Sequence, residues 1–161
     1  MSESPAHPLK SYKVPFDSME PAIPTGSDVI GDSSYYSTHR PERWDIVAFS
    51  APGSKPNANA GRFVKRIVGL PGETIQLTNK GLVINESLVP VPPALKGRFS
   101  SFGRHEDYKY GTKAYKIPAD SVFMMGDNSE VYVSDSREFG PVPVRNLEAR
   151  ILASVHITPI T

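Results

Sequence analysis

No cysteine occurs among the 161 residues, which excludes disulfides and thiolate metal sites without fixing a compartment. Long apolar runs are also missing. A membrane-spanning helix needs roughly 20 mostly apolar residues, whereas no uninterrupted apolar run here is longer than that from Val122 to Met125. The N-terminal stretch MSESPAHPLKSYK has no apolar region suited to a secretory signal, so the chain as it stands is expected to be soluble. An excess of one charge is lacking too. Eighteen basic against seventeen acidic residues leave a net charge of +1, which argues against nucleic acid as a partner. There is no HExxH-like spacing and no Gly-rich phosphate loop, and His7, His39, His105 and His156 stand apart from any serine context. No metal and no cofactor is expected.

Proline and glycine are plentiful. Sixteen prolines and twelve glycines, spread throughout, break the chain into short pieces and argue against long helices. Strand-like runs bounded by turn residues are frequent: Ser27 to Ile30, Asp45 to Phe49, Arg62 to Val68, Thr74 to Leu77, Leu82 to Ile84, Ser121 to Met125 and Ile151 to Ile157. With 39% hydrophobic and 22% charged residues, the composition is that of a globular domain able to bury a core. The expected fold is mostly β, an antiparallel β-sheet core with a small irregular lobe inserted at about 89–115. Residues 1–13 are expected to form a flexible arm and residues 14–161 the folded domain.

Three segments carry chemistry. Ser18 lies in VPFDSMEPAIP, where Pro15, Pro21 and Pro24 keep the chain from helix and present the serine in one orientation. A lone serine in such a setting also reads as an ordinary surface turn. Lys65 lies in RFVKRIVGLPG, and strand alternation sets Phe63, Lys65 and Ile67 on one face. An ammonium held between Phe and Ile is costly if that face is buried. Burial would lower its pKa from about 10.4 toward neutrality, roughly 4 kcal/mol, and make it a base. An edge-strand lysine reaching into water is the plainer reading. The third segment, GDNSEVYVSDSREFG from Gly126, holds Asp127, Asp135 and Arg137. Asp135 and Arg137 share a strand face and suit an ion pair supporting the site from behind. An Asx-type turn at Asp127-Asn128 is the alternative. A stiffly presented serine followed by a lysine set to lose its proton fits peptide-bond hydrolysis by a Ser–Lys pair.

The ordered set SMEP at Ser18, RWDIVAF at Arg43, KRIVGLPG at Lys65 and GDN…SDSR from Gly126 resembles the type I signal peptidases, in a form lacking a membrane anchor. These Ser–Lys serine endopeptidases cut signal peptides from exported proteins, and the resemblance runs from about Tyr12 to Ile151. It implies Ser18 as nucleophile and Lys65 as general base, with Ser134, Asp135, Arg137 and Gly126 in support. Gly126 would lie under the lysine. Val14, Pro15, Phe16 and Met19 would line or border the pocket for the small residue before the cut. Phe63 and Val64 would form the edge strand along which the substrate adds itself. The implied partners are a signal-peptide or preprotein substrate and a membrane surface nearby, at the outer face of the cytoplasmic membrane, with no nucleic acid.

The sequence departs from the family pattern at several points. Phe16 stands where a hydroxyl residue often helps hold the oxyanion, and Asp17 and Trp44 each replace a usual glycine. Six residues separate Asn128 from Asp135 where five are usual. Val133 thereby takes the place of the lysine-orienting serine, and Ser134 fills that role only if the loop shifts by one. Those changes keep open a second function, a weakly catalytic or inactive peptide-binding module on the same fold. A self-cleaving Ser–Lys repressor would need an N-terminal DNA-binding domain, and seventeen residues precede Ser18.

Overall fold

The computed structural model describes residues 8–53, 61–100, 108–155 and 160. Two antiparallel sheets carry the fold. The larger is built from β1 (Leu9–Val14), β2 (Ser27–Asp32), β3 (Ile46–Ser50), β4 (Arg62–Gly69), β9 (Ser121–Met125), β10 (Val142–Pro143) and β11 (Leu147–Val155), in the order β1-β2-β11-β3-β4-β9-β10. The smaller holds β5 (Thr74–Thr78), β6 (Gly81–Ile84), β7 (Ser87–Leu88) and β8 (Tyr115–Lys116), in the order β7-β6-β5-β8. Among the described residues helix is confined to two four-residue turns, α1 (Tyr35–Thr38) and α2 (Ser136–Phe139), and to short 3₁₀ segments at Pro93–Leu95 and Val144–Asn146. Among the described residues no helix is long and apolar enough to cross a membrane.

Two expectations need correcting. Leu9 to Lys13 do not belong to an arm, because β1 pairs along its length with β2, from Leu9 opposite Asp32 to Val14 opposite Ser27. Tyr12 and Val14, two residues apart, turn one face of β1 into the core, and that burial holds the strand in place. Residues 1–7 lie outside the described residues. The excursion from the large sheet is also wider than 89–115. Ile75 pairs with Ile84 and with Tyr115, so residues 74–88 belong to the second sheet together with β8. The junction falls at Gly69, where the β4–β9 register shifts and a Cβ would come within 2.5 Å of Ile117 Cδ1. Between β7 and β8 the chain is irregular, yet Leu95, Phe99 and Tyr108 are buried. Residues 101–107 lie outside the described residues.

Three apolar clusters fill the interior. One joins the two sheets through Val68, Ile75, Leu82, Ile117 and Phe123. Another packs Val47, Phe49, Ile67 and Met124 behind the centre of the large sheet. The third positions the site. Met19 and Ile23, 0% and 2% exposed, insert beside Val14, Val29, Ala48 and Val64. Each such side chain contributes about 1.5–3 kcal/mol through burial, so this pair pins the β1–β2 connection to the sheet.

Candidate active site

The connection between β1 and β2 carries Ser18. Prolines at 15, 21 and 24 deny it regular helix, yet it closes on itself through Glu20 N donating to Asp17 O and Ile23 N donating to Met19 O. Gly26 N donates to Val14 O at its base, and the Glu20 carboxylate accepts from both Thr25 N and Thr25 Oγ1. Asn128 clamps the tip from the third segment. Its backbone N–H donates to Ser18 O at 3.0 Å and its side-chain amide to Asp17 O at 2.9 Å. Gly126 lies beneath the same turn, and a Cβ there would stand 2.7 Å from Ser18 O. Sequence reading set this glycine under the lysine. The structure sets it under the Ser18 carbonyl, where only a residue without a side chain allows the approach.

Lys65 comes from β4, opposite Val47 of β3. Strand β9 pairs with β4 only from Arg66 onward, so Arg62 to Lys65 present an unpaired edge among the described residues. Lys65 sits at the end of that edge and is 6% exposed. Its Nζ is 2.8 Å from Ser18 Oγ, the one hydrogen-bond partner it has among the described residues, and 5.4 Å from the centroid of the Phe63 ring. Burial lowers the lysine from its ordinary 10.5 to about 8. The Asp135 carboxylate opposes that drop, Arg137 adds to it, and Asp127 opposes it more weakly.

Asp135 and Arg137 make a buried bidentate ion pair, Oδ1 to Nε at 3.0 Å and Oδ2 to a terminal nitrogen at 2.8 Å. They do so at a helical turn and not on a strand face: Asp135 caps α2 by accepting from Arg137 N. Asp135 also accepts from Gly126 N, tying the pair to the backbone below Ser18. The Arg137 guanidinium stacks 4.2 Å from the Tyr108 ring centroid. A second buried pair was missed from sequence. Arg66 grips Asp127 bidentately at 2.9 and 2.8 Å and donates to Trp44 O. The adjacent Lys65-Arg66 on opposite strand faces was the available signal, since alternation turns Arg66 toward a different carboxylate.

Ser134 does not join the site. Its side chain is exposed, and Val133 points inward at 2% exposure. The Tyr108 hydroxyl fixes that register by accepting from Val133 N and donating to Val133 O. A cleft of about 360 Å³ opens between β1 with its following residues and the free edge of β4, and Val14, Pro15, Phe16, Phe63 and Val64 line it beside Ser18. Met19 is the exception among the expected lining residues. It points into the core beneath Val14 and Val64 and anchors the turn from below. Phe16, 73% exposed, offers no hydroxyl. Trp44 takes its glycine-like position with φ of +79°, and its ring packs against Phe99. Of the four histidines, His39 is exposed against Tyr35, and His7, His105 and His156 lie outside the described residues.

The family model described as signal peptidase, peptidase S26, matches residues 6–156. Signal peptidase I V of Bacillus subtilis (strain 168) is 32% identical over 140 residues, covering 84% of this chain and 79% of that protein. Signal peptidase I of Leptolyngbya laminosa is also 32% identical, over 91% of this chain and 68% of its own length. The crystal structure of a signal peptidase I from Enterococcus faecalis V583 superposes with a TM-score of 0.52 at 28% identity, over 71% of this chain and 98% of that one. A match over residues 6–156, including the β1–β2 connection that bears Ser18 and the strand β4 that bears Lys65, places the chain in the signal peptidase family, peptidase S26.

Proposed function

We propose that this serine peptidase cuts an extended preprotein segment after a small residue, with Ser18 as nucleophile and Lys65 as general base. One observation carries the reading: a buried lysine, lowered to about 8, lies 2.8 Å from a serine hydroxyl with no other partner among the described residues, beside an open cleft. Neutral Nζ takes the hydroxyl proton as Oγ bonds to the substrate carbonyl carbon. The resulting ammonium gives that proton to the departing amine, leaving an acyl-enzyme. Water then gives a proton to Lys65 and attacks the ester, releasing the carboxylate product and restoring Ser18. The Ser18 N–H has no acceptor among the described residues and suits the developing oxyanion. Substrate backbone would add to the free edge of β4 at Arg62 to Lys65, against the flank of β1. Val14 and Val64 form an apolar floor at the serine, which favours a small side chain of the Ala-X-Ala kind.

The same reading places the work at the outer face of the cytoplasmic membrane, on signal peptides. It is tested with a peptide ending in Ala-X-Ala before the cut. Ser18→Ala and Lys65→Ala should each abolish cleavage with the fold intact, and the double variant should be scarcely worse than either, because both residues serve one step. Undiminished cleavage by Ser18→Ala would sink the mechanism. Exposed Phe16, in place of a second oxyanion donor, favours one other reading, a peptide-binding module. Peptide binding without any cleavage by the wild type would select it.

A further inference from the structure

The segment that carries Asp135 and Arg137 is gripped from the second sheet. Leu77 N of β5 donates to Gly111 O at 2.7 Å, and beside it Tyr110 N donates to Arg137 O at 2.9 Å. Two residues earlier the Tyr108 hydroxyl accepts from Val133 N at 2.8 Å and donates to Val133 O at 2.9 Å. One side chain from another part of the fold thus satisfies both backbone groups of a buried residue. The Tyr108 ring, 5% exposed, also stacks on the exposed Tyr132 ring with centroids 4.6 Å apart, on top of its contact with the Arg137 guanidinium. Val133 is thereby turned onto the glycine beneath the serine. Its Cγ1 would stand 2.8 Å from a Cβ at Gly126, and the Ser18 carbonyl oxygen 2.7 Å from the same point. An apolar wall therefore meets the serine turn, where Ser18 Oγ is the one hydrogen-bond partner of Lys65 among the described residues.

We propose that Tyr108 is a positioning residue for the Ser18–Lys65 pair, acting through Val133: it holds an apolar side chain against the serine turn and so keeps water away from the lysine. This role deepens the Ser–Lys peptidase reading and rests on it. Lys65 owes its lowered pKa first to burial; of the charges facing it, Asp135 and Asp127 oppose the drop and Arg137 adds to it. Burial is the cause that a loosened wall would undo, since hydration favours the ammonium. The Tyr108 hydroxyl is the latch. Without it Val133 N and O would be left buried and unpaired, a cost that the segment relieves by opening to water. Burial also raises the Tyr108 hydroxyl above its ordinary 10.0, so it keeps its proton and its grip while Lys65 titrates near 8. Neither Tyr108 nor Val133 lines the substrate cleft. Their effect therefore falls on the chemical step and not on substrate binding.

The experiment measures kcat and KM for the Ala-X-Ala peptide from pH 6 to 10 with wild type, Tyr108→Phe and Val133→Ala. Tyr108→Phe keeps a ring against Arg137 and removes only the hydroxyl. The Lys65 midpoint is also followed without substrate, by NMR of protein labelled with ¹³Cε-lysine, its signal assigned by its loss in Lys65→Met. In Tyr108→Phe the midpoint should rise from about 8 to about 9. The rate should then fall roughly tenfold at pH 7 and rejoin the wild type by about pH 10, with KM unchanged. Val133→Ala should raise the midpoint in the same direction with the Tyr108 hydroxyl still present. A midpoint that stays at the wild-type value in both variants, or a rate loss equal at every pH, would overturn the positioning role while leaving the peptidase reading standing. Cleavage by none of the three proteins would instead overturn the peptidase reading and the role with it.

Discussion

Replacing Lys65 by methionine separates the lysine's two consequences, one for stability and one for rate. In the folded protein the ammonium loses its proton at about 8, and in the unfolded chain at the ordinary 10.5. That difference corresponds to about 3 kcal/mol of penalty for keeping Lys65 charged in its buried place. The sign follows from proton counts. Between about pH 8 and 10.5 the unfolded chain holds a proton that the folded one has released, so stability rises with pH across that window. Below pH 8 both forms are protonated and the whole penalty is present; above 10.5 it is gone. Methionine fills similar space with no charge. Relative to wild type, Lys65→Met should therefore be more stable at pH 6–7, by up to about 3 kcal/mol less about 1 kcal/mol for the lost bond to Ser18. At pH 10.5 the advantage should be lost. Urea unfolding of both proteins at pH 6, 8 and 10 measures this without any substrate. The companion assay is kcat/KM of the wild type against pH. About a tenth of Lys65 is neutral at pH 7 and about nine-tenths at pH 9, so the rate should climb roughly tenfold between them. A stability difference that stays constant with pH, or a flat rate from pH 6 to 9 with chemistry limiting, would refute the buried-base argument.

Three further outcomes are expected. Gly126→Ala puts a methyl within 2.7 Å of Ser18 O and 2.8 Å of Val133 Cγ1. It should cost about 1–3 kcal/mol in urea unfolding and, by displacing Ser18 from Lys65, lower kcat on the order of a hundredfold; unchanged kcat would show that the turn does not need this approach. Phe16→Ser supplies a second donor at the oxyanion and should raise kcat about tenfold to a hundredfold. Its stability should stay within about 0.5 kcal/mol because the ring is 73% exposed. Trp44→Gly relieves a left-handed backbone, worth about 1–2 kcal/mol, but removes a half-buried indole packed on Phe99. At roughly half of the 3–5 kcal/mol for a fully buried aromatic, packing narrowly wins, so the unfolding midpoint should fall slightly, and a clear rise would show that strain dominates.

Most strands were legible because their signal is local. Thr74 to Leu77, Leu82 to Ile84 and Ser121 to Met125 are bounded by turn residues and rich in β-formers, and each forms a strand within a residue or so of its expected limits. Strand β1 was not legible. LKSYKV offers only Tyr12 and Val14 to the interior, and its partner β2 lies beyond the Ser18 connection, so pairing and not composition decides its state. Which sheet a strand joins was equally hidden, since the bend at Gly69 depends on Ile117, far along the chain.

The candidate site divides in the same way. By itself the sequence determined that Ser18 sits on a proline-stiffened segment, that Lys65 shares a strand face with Phe63 and Ile67, and that Asp135 and Arg137 stand close enough to pair. Those are consequences of backbone chemistry and strand period. The tertiary structure alone decided that 47 residues of separation close to 2.8 Å, that Gly126 and Asn128 hold the serine turn, and that Met19 faces the core. It also decided that the Tyr108 hydroxyl turns Val133 inward and leaves Ser134 outside. Each depends on contacts between distant segments. Burial of Lys65, which lowers its pKa, exists only once β4, α2 and the serine turn have packed together.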